Sequence, residues 1–137
     1  MKVMLDQGAY MPTRSHSTDA GLDLYSREEK YIPPYGYEVF NTGVHVELPP
    51  NTYGKLESKS GLNVNYNIVS CGGVIDQGYT GPIKVKLYNM GNELFWVEKG
   101  MKIVQLLVIP CLYEEVEIGQ INMDTERKDN GFGSTGK

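Results

Sequence analysis

The chain has 137 residues, of which 40% are hydrophobic, 22% charged and 10% aromatic, and its net charge is −4. That length and balance describe one soluble globular domain and exclude a disordered or collagen-like chain. Sixteen glycines and seven prolines weigh against a helix bundle and favour short strands joined by turns.

In chain order, strands are predicted at 2–5, 22–25 and 37–40, with Pro33-Pro34-Tyr35-Gly36 as a turn before the third. Val44-His45-Val46-Glu47-Leu48 alternates apolar and polar residues and reads as a half-buried antiparallel strand. After the Pro49-Pro50-Asn51 turn, a strand over 53–57 leads to one short helix through Leu62 and Val64, with Ser60 as its N-cap. Two apolar stretches around Gly72-Gly73 and Gly78-Tyr79-Thr80-Gly81 predict a glycine-laced hairpin. Ile83-Lys84-Val85-Lys86-Leu87 sends lysines to one face and aliphatics to the other. Residues 94–97 and 103–109 are more continuously apolar, as in strands covered on both faces, and a weaker strand is predicted at 116–118. Many short strands with frequent turns predict a sandwich, jelly roll or barrel. Residues 122–137 hold one aromatic, Phe132, and little else to bury, so they read as a tail that orders on a ligand.

No apolar run approaches the roughly 20 residues of a membrane-spanning helix, and the first residues lack the apolar stretch of a signal peptide. Two cysteines, Cys71 and Cys111, make a disulfide framework unexpected; buried free thiols in a reducing, cytoplasmic or other intracellular compartment are the expectation. The acidic balance disfavours direct nucleic-acid binding but leaves room for a small anionic ligand. His16 and His45 form no metal-ligand pair with a cysteine, and no nucleophile elbow is present.

Five segments carry possible chemistry. Asp23 stands between Leu22 and Leu24, where an isolated aspartate is most simply a solvated strand carboxylate. Ser58-Lys59-Ser60-Gly61 offers hydroxyls, one cation and free backbone N–H groups that suit a phosphate, without the Walker A spacing; alone it reads as a capped turn. Asp76, with Tyr79 three residues on, is either a general base at a hairpin lip or an Asx-turn residue, and Gly72 and Gly73 would let another molecule approach the backbone. Gln105 is an amide inside an apolar run and needs partners, from the backbone or from a ligand. Arg127 precedes Phe132-Gly133-Ser134-Thr135-Gly136 by five residues.

In this order the five segments resemble the motifs of the trimeric dUTP pyrophosphatases (dUTPases). The match runs from Ala20-Gly21-Leu22-Asp23-Leu24 to the Phe-Gly-Ser-Thr-Gly run, and is most specific at Gly73-Val74-Ile75-Asp76-x-x-Tyr79-x-Gly81 and at the tail. The resemblance implies an all-β, distorted jelly roll or barrel over residues 1–121 and an arm over 122–137 that closes on an active site shared within a homotrimer. It implies hydrolysis of dUTP to dUMP and pyrophosphate with Mg²⁺, which limits uracil in DNA and supplies dUMP for thymidylate synthesis. Asp76 would activate the attacking water. Ser70, Gly73, Val74, Ile75 and Lys84 would frame the uracil, Tyr79 would pack on the deoxyribose and Phe132 would stack on the base. Lys59, Ser60, Gly61, Gln105, Arg127, Gly133, Ser134 and Thr135 would hold phosphates, and Asp23 would reach Mg²⁺ through water.

Four departures from the family pattern stand out. Lys59 stands where many members have arginine and loses the planar bidentate fork. Gly78 replaces a second acidic residue, Lys128-Asp129-Asn130 a glycine-rich stretch, and Ser70 an asparagine that reads the base in some members. A deoxycytidine triphosphate deaminase of the same fold and a non-catalytic β-sandwich binding module are the competing readings; the Tyr79 hairpin and the tail favour the pyrophosphatase. Regulatory protein partners are left unassigned.

Overall fold

Alternating side chains sort most strands into a buried and an outward set, and the sheets follow from where those sets meet. The structure, a computed structural model, describes residues 1–130. Its elements are β1 (Lys2–Leu5), β2 (Leu22–Tyr25), β3 (Lys30–Ile32), β4 (Tyr37–Asn41), β5 (Val44–Glu47), β6 (Thr52–Glu57), α1 (Ser60–Tyr66), β7 (Ile68–Ser70), β8 (Val74–Ile75), β9 (Lys84–Asn89), β10 (Phe95–Val97) and β11 (Lys102–Pro110). They form four antiparallel sheets: β1-β5, β10-β3, β2-β11-β6-β8 and β4-β9-β7. The core they enclose is aliphatic, with Phe40, Leu24, Ile32, Ile83, Val104 and Leu106 at 0% exposure. The all-β expectation holds.

The patterned strands lie where their alternation put them. Val44 and Val46 of β5 are buried while Glu47 is exposed, and in β9 Val85 and Leu87 are buried opposite outward Lys84 and half-buried Lys86. In β11 the register shifts between Lys102 and Val104. The extra residue of this bulge places Ile103 and Val104, adjacent in sequence, both in the core. It also resets the phase of the strand, so that Gln105 stands directly opposite Asp23 on β2 and Glu57 on β6.

Several expectations are corrected. Residues 116–118 form no strand: among the described residues no strand pairs with them, and a strand needs a partner for its backbone groups. Val116 and Ile118 are instead fully exposed. Three-residue β3 and β7 were not anticipated, being too short to show a period; cross-strand pairing with β10 and β9 fixes them. Residues 94–97 are not covered on both faces: Leu94 is exposed, and in β10 Phe95 and Trp96 are half-buried while Val97 is buried. The N-cap of α1 is Lys59, in extended conformation and without a side-chain cap bond, so Ser60 is the first helical residue. Cys71 is exposed and Cys111 partly so; both are free. Cys71 leaves the sheet immediately before Gly72, whose φ of +76° turns the chain outward.

Candidate active site

Two polar groups occupy opposite ends of β6. The first is built on the Asp23–Gln105–Glu57 row across β2, β11 and β6. Asp23 is not solvated but buried at 4% exposure. Its Oδ1 pairs with Lys59 Nζ, its Oδ2 lies 2.8 Å from Lys102 Nζ, and Lys102 also donates to Ser15 Oγ at 3.0 Å. Burial opposes ionisation of Asp23, but the hydrogen bonds and charges of Lys102 and Lys59 outweigh it and hold the carboxyl below its ordinary value. The same pairing raises Lys102.

Gln105 resolves its question partly in favour of the backbone. Its Nε2 donates to the Ser58 carbonyl at 3.1 Å. Ser58 Oγ in turn accepts from the Ser70 N–H at 2.9 Å and lies 3.1 Å from Ser70 Oγ. This chain of contacts joins Ser70 on β7 to Gln105 on β11. Ser60 and Gly61 open α1 on the surface; a helix start leaves its first N–H groups without helical partners, and space around Gly61 is open.

The second group is carried by β8 and the loop after it. The Gly73 carbonyl accepts from the Leu56 N–H at 2.8 Å, and Gly73 has φ of +117°. A Cβ there would stand 2.6 Å from Leu56 Cβ, so close packing within the chain requires the glycine. Val74 and Ile75 pair with Lys55 and Gly54, Ile75 inward and Val74 exposed. Asp76 then emerges into solvent. Its carbonyl, not its carboxylate, closes a turn with the Tyr79 N–H at 3.0 Å, and among the described residues the carboxylate has no hydrogen-bond partner. The Asx-turn reading is therefore not what the structure holds. Tyr79 folds back so that its hydroxyl donates to the Pro82 carbonyl at 3.0 Å, over Gly81, where any Cβ would come within 2.5 Å of that hydroxyl oxygen. Gln77 Oε1 accepts from the Asn51 N–H at 2.9 Å and from Tyr113 at 3.2 Å, fixing the loop from the outside. Lys84 is exposed at the start of β9, opposite Asn41.

The sheet register sets the spacing between the groups. Ile75 is level with Gly54 and Gln105 with Glu57. Asp76 thus falls beside Tyr53, four residues from Glu57, which on an extended strand is about 13 Å. One chain brings Asp23, Lys59, Gln105 and Ser70 together, and separately Gly73, Val74, Ile75, Asp76 and Tyr79. Arg127 is exposed and its Nε donates to the Asn130 carbonyl at 3.0 Å. Phe132, Gly133, Ser134 and Thr135 lie outside the described residues.

Lys102 and Ser58 were missed as site residues. Nothing local marks either: Lys102 meets Asp23 only through the β2–β11 pairing across 79 positions, and Ser58 acts through β7. Among the described residues no cluster of three or more His, Cys, Asp or Glu could hold a metal ion. Two clefts, one beside Met4, His45 and Thr80 and one between Asn65 and Phe95, contain none of the residues above.

A family model described as dUTPase matches residues 7–136. The deoxyuridine 5'-triphosphate nucleotidohydrolase of Clostridium kluyveri is 43% identical over 136 residues, covering 96% of this chain and 94% of that protein. The human mitochondrial protein of the same name is 43% identical over 133 residues, 97% of this chain and 53% of its own length. Among solved structures, the Staphylococcus bacteriophage 80alpha dUTPase with dUPNHPP matches with a TM-score of 0.91 at 30% identity, over 99% of this chain and 98% of that one. The dUTPase of Staphylococcus aureus phage phi11 matches with a TM-score of 0.82 at 26% identity, over 90% of this chain and 98% of that one.

Proposed function

The chain belongs to the dUTPase family and is a dUTP diphosphatase, converting dUTP and water to dUMP and pyrophosphate; from that premise we propose that Asp76 is the base of the reaction. The observation that carries this assignment is an exposed carboxylate without a hydrogen-bond partner among the described residues, on a loop pinned at Gln77 and folded by Tyr79. In the proposed step the carboxylate accepts a proton from water as the water oxygen bonds to the α-phosphorus. The bond from that phosphorus to the α–β bridging oxygen breaks, and pyrophosphate leaves. Gly73, Val74 and Ile75, with Ser70 and the Lys84 backbone, frame the uracil. Tyr79, held over Gly81, packs on the sugar where a 2′-hydroxyl would need room.

Lys59, Ser60, Gly61 and Gln105 bind phosphates, a cation, a hydroxyl and backbone or amide N–H groups being the donors a polyanion needs. Residues 122–137 act as an arm, with Arg127, Gly133, Ser134 and Thr135 on the phosphates and Phe132 on the base. Mg²⁺ would fit as an ion held mainly by substrate phosphates and water, with Asp23 reaching it through water, because among the described residues no carboxylate cluster forms a cage. When bound it neutralises charge on the departing pyrophosphate.

The spacing supports a site shared between copies in a homotrimer. A base must lie within hydrogen-bond reach of its water, yet Asp76 and the proposed phosphate ligand Gln105 are about 13 Å apart along β6. In the proposed site the base therefore comes from one copy and the phosphate ligand from another. Pyrophosphate release measured with Mg²⁺ on dUTP, dTTP, dCTP and UTP tests the reading. Release from dUTP alone is expected; comparable release from UTP would remove Tyr79 as the sugar gate, and ammonia from dCTP would favour the deaminase.

A further inference from the structure

His45 faces outward from β5, between buried Val44 and Val46. Its Nδ1 lies 2.7 Å from the Thr80 carbonyl oxygen and its Nε2 lies 3.1 Å from Asp6 Oδ1. Both neighbours are acceptors. A neutral imidazole carries one N–H and one lone pair, so it satisfies one of them and repels the other. An imidazolium donates to both. The ring is 15% exposed, so water does not readily replace either bond. Asp6 is held in turn by Arg27, whose NH1 lies 3.3 Å from Oδ2 and whose Nε donates to the Asn41 carbonyl at 3.0 Å. Lys2 and Glu47, the other charges on this sheet, pair with each other at 3.0 Å.

Thr80 is the residue after Tyr79 and four after Asp76. Downstream, the loop is fixed at Ile83, whose N–H donates to the Val44 carbonyl at 2.8 Å. Upstream it is fixed at Gln77. Between those points the Thr80 carbonyl is the place where a side chain from another strand grips the backbone.

We propose that His45 is a positioning residue for dUTP hydrolysis: as an imidazolium it ties the Thr80 carbonyl to Asp6 and so fixes the loop that presents Asp76 and Tyr79. The proposal rests on the assignment of Asp76 and Tyr79 above. It makes the productive loop geometry depend on one proton. The hydrogen bond to the Thr80 carbonyl, then that to Asp6 and its charge, raise the His45 pKa against the opposing effects of partial burial and Arg27. The clamp is therefore complete below the ordinary histidine value of about 6.5 and is lost as pH rises through the higher folded value.

The test combines histidine NMR titration with kcat/KM profiles of the wild type, His45→Gln and Asp6→Asn. The His45 ring should titrate above about 6.5, and the Gly81 amide shift should follow the same curve. In Asp6→Asn both midpoints should fall. The wild-type profile should decline on its alkaline side with that midpoint. In His45→Gln the decline should be absent, with kcat/KM about fivefold or more below wild type at about pH 6 and equal to it at about pH 9, since small misplacement of reacting groups costs large factors in rate. The proposal is overturned by a ring that titrates at or below the ordinary value, by a Gly81 shift indifferent to it, or by identical profiles in wild type and His45→Gln. If dUTP is not hydrolysed at all, the parent assignment falls, while the ring and Gly81 titrations still decide whether the clamp exists.

Discussion

Asp76 and Asp23 show two fates of a carboxylate in one chain. Asp76 is exposed and free to take a proton from water. Asp76→Asn keeps the shape of the side chain and removes the base, so pyrophosphate release should fall by at least about a hundredfold while a non-hydrolysable dUTP analogue still binds in calorimetry. Near-normal turnover would remove Asp76 from the chemistry. Asp23 is buried between two lysines, a pairing its sequence neighbours do not disclose. Asp23→Asn leaves those ammonium groups together without their counter-charge. Because Lys59 and Lys102 are themselves partly exposed, the loss at neutral pH should be about 1–3 kcal/mol rather than the full cost of a buried unpaired ion. The sign with pH follows from the lowered carboxyl: its contribution is present above the unfolded value of about 3.9 and lost as pH falls through the folded one. Urea unfolding should therefore separate wild type from variant at about pH 7 and bring them together near about pH 2.

At the scale of elements, β8 is held by two pairs to β6 and by the close contact of Gly73 with Leu56. Gly73→Ala forces a Cβ into Leu56 at a positive φ and should cost about 2–3 kcal/mol in urea unfolding, together with most of the turnover. Gly78→Ala, where space is open, should stay within about 0.5 kcal/mol. Elements of four or more patterned residues were legible in the chain because alternation reports one buried face; β5 and β9 are the clearest. β3 and β7 were not, since three residues carry no period and their identity comes from a partner strand. The candidate site was legible as segments because turn glycines, an amide in an apolar run and a lone cation are local signals. Its assembly was not. The β11 bulge that aligns Gln105 with Asp23, and the β6 register that separates Asp76 from Gln105, exist only after pairing.

At the scale of the molecule, the proposed division of the site makes a complementation experiment decisive. Asp76→Asn and Gln105→Ala should each be inactive alone. Mixed by co-refolding, they should regain part of the wild-type rate, because a site that takes its base from one copy and its phosphate ligand from another finds intact pairs in mixed oligomers. No recovery would place both residues in one chain's site. Light scattering should give about three times the 15.3 kDa chain mass.

The stretch beyond β11 adds a further consequence. Leu112 is 83% exposed, and Val116 and Ile118 are wholly so, separated by glutamates in a strand-like alternation that no neighbour in the described chain satisfies. Apolar surface that is covered only on association makes the folded state subject to mass action. Melting temperature should then rise with protein concentration, and dilution should lower activity per chain steeply rather than in proportion. The amount of enzyme a cell makes would thereby set not only how many sites exist but what fraction of chains can form one.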